Sequence, residues 1–466
     1  MHPRAAVLAW LAGLLAGGLI ASGATPALAR PAPLERATST VTIRLAPPVV
    51  TLGEPSAVVV TATPARSGRV FTLQRVEGSV WQPVATATSN AGGRAVMPLD
   101  TTVAGSQVLR VVAGAVGALP ERSSARVTLR VTAPESCTPT VALVDPDATA
   151  SARCLAARLD RWRAAGLLGV GQQLNMSSLG RLDPLTELGG RRVSVVGFDL
   201  EELALSGTYG YPFLEEGLAD LVGLAQQGAV LSASWHATNP HTGGTYSDRR
   251  WHDLEAILDP ATPEHARFWA DADQKIALLA RLQDAGVAVV LRPFHEANGG
   301  WFWWGHPNPA TYKLVWRMLQ ERVWAAGVHN VVWAYSFNAV TDSGITDPVR
   351  LLPTGRVDLA GIDAYDPEAK AGTAADSLPL KGYAGVAAKV RRMAMTEVGP
   401  RDSSQGAWNP ATITRIARGL TAKPVWALLW FDDLPPNDPL YKRQISSLRG
   451  GLSWLDSCPN GYCYLR

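Results

Sequence analysis

Val287-Ala288-Val289-Val290-Leu291-Arg292-Pro293-Phe294-His295-Glu296 is a run of mostly apolar residues that ends in two titratable ones, and an amphipathic stretch, 265–285, leads into it. A short continuous apolar run is the pattern of a strand buried on both faces, and a 3.6-residue periodicity is that of a helix covering such a sheet. Outward from this unit the alternation repeats. Further apolar segments lie at 168–174, 193–199, 229–236, 330–338, 359–366, 393–399 and 425–432, and further amphipathic stretches at 213–227, 309–326 and 410–421. Eight strands within roughly 320 residues predict an α/β fold, a closed (β/α)8 barrel of the triosephosphate-isomerase (TIM) type. An open doubly wound sheet would carry a glycine-rich phosphate loop after a strand. Gly169-Val170-Gly171-Gln172-Gln173-Leu174 lacks the third glycine and lies within its strand.

Before the barrel the rhythm is different. Val58-Val59-Val60, Val70-Phe71-Thr72-Leu73, Val84-Ala85-Thr86, Val108-Leu109-Arg110-Val111 and Val127-Thr128-Leu129-Arg130-Val131 are short alternating runs, with a turn signal at Asn90-Ala91-Gly92-Gly93. They predict a small all-β, immunoglobulin-like sandwich over 41–133, joined at Ala133-Pro134-Glu135 to a catalytic barrel over 134–466. The sandwich clusters no carboxylate, His or Trp, which suits a spacer or wall-facing module; a carbohydrate-binding module is the alternative. Residues 30–40 read as a flexible lead-in. Residues 1–29 read as a signal peptide: Arg4, an apolar run from Ala5 to Ile20, then Ala27-Leu28-Ala29. The run of roughly 16 residues falls short of the ~20 that span a bilayer. A secreted, extracellular protein with no membrane partner after cleavage is expected, and a monomer.

Composition agrees with export. The 466 residues hold 47% hydrophobic side chains, enough for a large core, and a net charge of +3 with scattered basic residues leaves no nucleic-acid footprint. The 4 cysteines suit an oxidising compartment. Cys458–Cys463, bracketing Pro459-Asn460-Gly461, and Cys137–Cys154 are the expected pairs; no C-x2-C pair suggests zinc. The 16 Trp imply either a large core or an exposed aromatic surface.

Reacting groups of such barrels stand at the C-terminal ends of the strands. Those ends read Asp199, Trp235-His236, His295-Glu296, Asp363-Ala364-Tyr365-Asp366, Glu397 and Trp430-Phe431-Asp432. Glu296 and Glu397 emerge from apolar strands, where solvated decoration does not explain them. They are either buried partners of Arg292 or other barrel cations, or the two carboxylates that glycosidic cleavage needs, one protonated and one ionised. After Glu296 comes Ala297-Asn298-Gly299-Gly300-Trp301-Phe302-Trp303-Trp304-Gly305, whose rings offer flat apolar faces to sugars if exposed and cap the core if not.

His295-Glu296 with Asn298-Gly299-Gly300-Trp301-Phe302-Trp303-Trp304-Gly305, and Met395-Thr396-Glu397-Val398-Gly399 a hundred residues on, resembles glycoside hydrolase family 26, from about Cys137 to the end. The resemblance implies a retaining endo-β-1,4-mannanase-like enzyme with Glu296 as acid/base and Glu397 as nucleophile. It further implies His295 beside the reacting sugar, Tyr365 orienting the nucleophile, His236 touching substrate, and Trp301 and Trp430 as stacking platforms. No cofactor and no catalytic metal are expected. Trp430-Phe431-Asp432-Asp433 departs from the basic or amide residue expected after that Trp. Mixed-linkage β-glucan and β-1,3-xylan are alternative substrates within the family. A non-catalytic carbohydrate-binding protein is the alternative of another class. A metalloenzyme built on His236, His241, His295 and His306, or a serine hydrolase, lacks its motif.

Overall fold

The computed structural model describes residues 39–465 except 52–53, 79, 104, 133–136, 206–212, 368–375, 402–405 and 433–441; the expected signal peptide, nearly all of the lead-in and the linker at 133–135 lie outside the described residues. Nine strands come first: Thr40–Ala46 (β1), Val49–Thr51 (β2), Ala57–Thr63 (β3), Val70–Glu77 (β4), Val80–Thr88 (β5), Arg94–Pro98 (β6), Gly105–Ala113 (β7), Arg122–Ser123 (β8) and Val127–Thr132 (β9). They form two sheets, ordered β1-β3-β6 and β2-β9-β7-β4-β5, with β8 on β7. Alternate residues of both, among them Val58, Val60, Phe71, Leu73, Leu109, Val111 and Leu129, fill one core between them. The turn at Asn90–Gly93 carries the chain from one sheet to the other. Asn90 Oδ1 accepts the backbone N–H groups of Gly92 and Arg94, each at 3.0 Å. Gly93, at φ 70°, lies so close to the Ala62 carbonyl that a Cβ would collide with it.

The barrel strands are Leu167–Gln173 (β10), Val195–Asp199 (β11), Val230–Ser234 (β12), Val289–Arg292 (β13), Val331–Asn338 (β14), Leu359–Asp366 (β15), Met393–Pro400 (β16) and Pro424–Leu429 (β17). Each pairs in parallel with the next, and β17 pairs back onto β10, so the eight close into a barrel. Helices Phe213–Gln226, Pro263–Asp284, Pro309–Ala325 and Ala411–Gly419 cover it. Two of them start alike: Thr262 and Asn308 cap free backbone N–H groups with their side chains, and a proline follows where its missing N–H costs nothing. Three crossovers contain a helix of only four or five residues, Asp183–Thr186, Pro348–Leu351 and Tyr383–Ala387.

The strand starts are plugged by the helix Ala150–Ala165, whose Leu155, Leu159 and Trp162 pack against Val195, Val230, Val332 and Val425. Buried Asp160 on that helix ties it to the barrel by accepting from Arg392 Nε at 2.8 Å and Nη2 at 2.9 Å. A last strand, Tyr462–Tyr464 (β18), adds antiparallel to β10. The disulfides are Cys137–Cys154 and Cys458–Cys463, the pairs expected. The two-sheet unit meets the barrel at this lower end, where Asn460 donates to the Ala46 carbonyl and Glu54 faces Arg161 at 3.5 Å. Trp303, Trp304, Trp316, Trp333, Trp408 and Trp426 are fully buried, so the tryptophan excess is in large part core. No helix among the described residues is long and apolar enough to cross a membrane.

Candidate active site

The strand that decided the fold ends sooner than its apolar run. β13 stops at Arg292, and Glu296 sits in the turn beyond it rather than on the strand. Pro293 has no N–H to continue a ladder, and Phe294 and Glu296 take φ values of 49° and 54°. Left-handed backbone at two non-glycine residues costs about 1–3 kcal/mol each and persists only where neighbours enforce it. Here the Glu296 N–H donates to the Ser336 carbonyl at 3.0 Å, Trp304 Nε1 to the His295 carbonyl at 2.8 Å, and Asn298 bridges to both backbone groups of Asn338. The turn aims the Glu296 carboxyl over the barrel mouth. β12 likewise stops at Ser234, short of His236.

Glu296 and Glu397 are 7% and 6% exposed, and one carboxylate oxygen of each, with one of Asp363, lies within 4.8 Å of the others. At that separation and an effective dielectric of about 20, two full charges repel by about 3.5 kcal/mol. The partners divide the load unequally. Glu397 accepts from Arg292 Nη2 through one oxygen and from the Tyr365 hydroxyl at 2.7 Å through the other. Glu296 accepts from Trp301 Nε1 and from Asn338 Nδ2 at 2.9 Å, and makes no bond to Arg292. Burial, then the charge of Glu397, push Glu296 up to about 7. Burial, then Glu397, also raise Asp363 well above the usual carboxylate range, although Arg292 Nη1 at 3.3 Å and the Ser336 hydroxyl at 2.8 Å attend it. The reading of both glutamates as mere partners of Arg292 therefore describes one bond of Glu397 and none of Glu296. The single guanidinium touches two of the three clustered carboxylates, Asp363 and Glu397.

Two imidazoles complete the mouth. His236 and His295 face each other through their Nε2 atoms at 3.2 Å, and His236 Nδ1 meets Asp199 Oδ2 at 2.9 Å. Half-buried Trp430, just past β17, lies 5.9 Å from His236 ring to ring. His241 and His306 are elsewhere: His241 is stacked on Trp251, and His306 is fixed by its backbone N–H to the Ala297 carbonyl.

The aromatic stretch after Glu296 is mainly core. Phe302, Trp303 and Trp304 are buried, with Trp303 Nε1 on the Ala237 carbonyl at 2.9 Å; only Trp301 is half-exposed. Gly299 precedes it because a Cβ there would fall on the Trp301 ring. Two strand-end acids also turn away from the cleft. Asp366 accepts from Trp408 Nε1 at 3.1 Å, and Asp432 accepts the backbone N–H groups of Arg443 at 2.7 Å and Gln444 at 2.9 Å. Asn338 and Tyr246 were missed by sequence reasoning. Asn338 ends β14 and was legible by the strand-end rule applied to its neighbours. Tyr246, whose ring is 4.4 Å from that of His236, comes from a loop that carries no such signal.

A family model described as glycosyl hydrolase family 26 matches residues 144–449. The mannan endo-1,4-beta-mannosidase of Thermothelomyces thermophilus is 31% identical over 210 residues, covering 42% of this chain and 42% of that one. That of Bacillus subtilis strain 168 is 28% identical over 226 residues, covering 46% and 59%. This chain thus spans about half the length of the curated relatives it matches. Among solved structures, the catalytic domain of the Bacillus sp. JAMB-750 GH26 endo-beta-1,4-mannanase superposes with a TM-score of 0.54 at 25% identity, over 66% of this chain and 88% of that one. A match across the whole barrel, including both glutamate motifs, places the chain in glycosyl hydrolase family 26.

Proposed function

We propose that this chain is a secreted glycoside hydrolase that cleaves β-1,4-mannan or galactomannan internally and with retention, Glu397 being the nucleophile and Glu296 the acid/base. The contrast between the two glutamates carries this reading: neighbours within 4.8 Å, one gripped by Arg292 and Tyr365 and the other pushed up to about 7. A carboxylate that accepts from a guanidinium through one oxygen and a phenol through the other is held aimed, as a nucleophile must be. A carboxyl poised near neutrality can donate a proton and take one back. In the cycle, Glu397 attacks the anomeric carbon while Glu296 protonates the departing glycosidic oxygen. Glu296, now ionised, takes a proton from water, which displaces Glu397 and frees the sugar. No step calls for a cofactor.

His236 and His295 border the reacting sugar, and Trp301 and Trp430 serve as stacking platforms for the polysaccharide chain. The relatives' named substrate supports mannan. The oxidised cysteines accord with export of a chain whose first 29 residues read as a signal peptide. Two further inferences accompany this one: an immunoglobulin-like spacer over 41–133 ahead of a barrel over 134–466, and a monomer. The purified chain should release reducing ends from mannan and galactomannan. Release from lichenan or β-1,3-xylan alone would overturn the substrate while keeping the chemistry, and release from none of the four would overturn the enzyme.

A further inference from the structure

The geometry points to Asp199 as a positioning residue: it fixes the proton of His236 Nδ1 and, through His236, decides which nitrogen of His295 carries a proton beside the reacting sugar. The inference rests on the hydrolase reading above. Asp199 ends β11 and is closed to solvent. Its carboxylate accepts from the Ser234 hydroxyl at 2.7 Å, from the backbone N–H of His236 at 3.1 Å and from that of Glu201 at 2.9 Å, besides facing His236 Nδ1 at 2.9 Å. An ionised carboxylate only accepts, so His236 Nδ1 is held as the donor.

The other end of the ring then has two settings. Only one proton fits on the 3.2 Å line between His236 Nε2 and His295 Nε2. If His236 is an imidazolium, it donates there, and the single proton of neutral His295 lies on Nδ1. If His236 is neutral, His295 must donate from Nε2, and its Nδ1 is bare. That Nδ1 is buried and has no hydrogen-bond partner among the described residues, so its protonation is free to follow.

The charges around the pair choose the first setting. His236 is faced by Asp199 from β11, by Glu202 from the helix Leu200–Leu205, by Glu397 from β16 and by His295 from the turn after β13, with the Tyr246 ring against it from its own loop. Burial opposes a charge on His236, but Asp199 above all, then Glu397, outweigh it and raise His236 above the ordinary imidazole range. Burial, the charge of His236 and Arg292 hold His295 well below that range. Glu202 is itself pushed up to about 8 by burial and Asp199, which leaves Asp199 as the ionised acid of the two near neutrality.

The test is nitrogen-15 NMR of the imidazoles in the full chain, wild type and Asp199→Asn, alongside kcat/KM on mannan against pH. At neutral pH wild-type His236 should carry protons on both nitrogens and His295 on Nδ1 alone. In Asp199→Asn, His236 should become neutral and the His295 proton should move to Nε2. Its kcat/KM should fall about 10- to 100-fold, the loss expected of a charge-assisted hydrogen bond, and partly recover as pH is lowered. Ser234→Ala, which removes an Asp199 contact and touches neither imidazole, should lower Tm without changing the pH profile. If Asp199→Asn does the same and no more, Asp199 is structural and the assignment is overturned. A neutral His236 in the wild-type spectrum overturns it without any variant, and decides the matter should the variant not fold. Failure to hydrolyse mannan would instead defeat the functional reading and leave the spectrum to be judged alone.

Discussion

Replacing Glu397 with Ala should lower kcat on β-mannan by about 10⁴- to 10⁶-fold, the scale on which loss of a covalent nucleophile is felt, while the affinity for mannan oligosaccharides changes little. The carboxylate is the group the rest of the mouth is arranged to serve: Arg292 and Tyr365 donate to its two oxygens, and burial with its charge raises the Tyr365 hydroxyl well above the phenol range, so that the hydroxyl stays a donor. Removing the carboxylate leaves Arg292 its bond to Asp363, and Tyr365 an open hydroxyl. The ring surfaces of Trp301 and Trp430 and the imidazoles of His236 and His295 are untouched, so binding should survive. Reducing-end release with calorimetric binding separates the two quantities. A protein that only binds carbohydrate would keep its whole function in this variant. Turnover within about tenfold of wild type would remove Glu397 from the nucleophile's role.

The second large effect belongs to Glu296→Ala, and its signature is a pH profile as much as a rate. General acid/base assistance contributes about 10²–10⁴, so kcat on mannan should drop by that factor. The donor form of Glu296 is its protonated one, present below its value of about 7, so kcat/KM of the wild type should fall as pH rises through that point. The variant has no such group and should lose this alkaline limb. An aryl mannoside, whose leaving group departs without a proton, should lose far less than mannan in the glycosylation step. An alkaline limb that persists in Glu296→Ala would assign that proton to another residue. Burial that favours the neutral form also disfavours the ionised one, so the native glutamate lowers stability as pH rises toward 7. The Ala variant should therefore gain Tm relative to wild type as pH rises from the ordinary value of 4.5 toward about 7.

The eight barrel strands were legible because each is buried on both faces and leaves an unbroken apolar run. Their ends were less so. Phe294 prolongs the apolar run beyond β13, although Pro293 and two left-handed residues have already turned the chain. The paired glutamates stood out because solvated decoration does not explain an acid at the close of an apolar strand. Which of their neighbours bond to which was not legible, since it depends on contacts among elements far apart in the chain: Asn338 with Glu296, Asp199 with His236, and Tyr246 over His236. The run Trp301-Phe302-Trp303-Trp304 shows the converse. Four adjacent rings resemble a binding platform in one dimension, yet the turn tucks three of them under the site, where they hold the backbone that presents Glu296.

The two-step scheme itself is tested by proton NMR of the first product. Mannan or mannohexaose should yield fresh reducing ends in the β configuration, which drift toward the α/β equilibrium only by mutarotation. Fresh α ends would mean direct attack by water, and would contradict a covalent bond between Glu397 and the sugar.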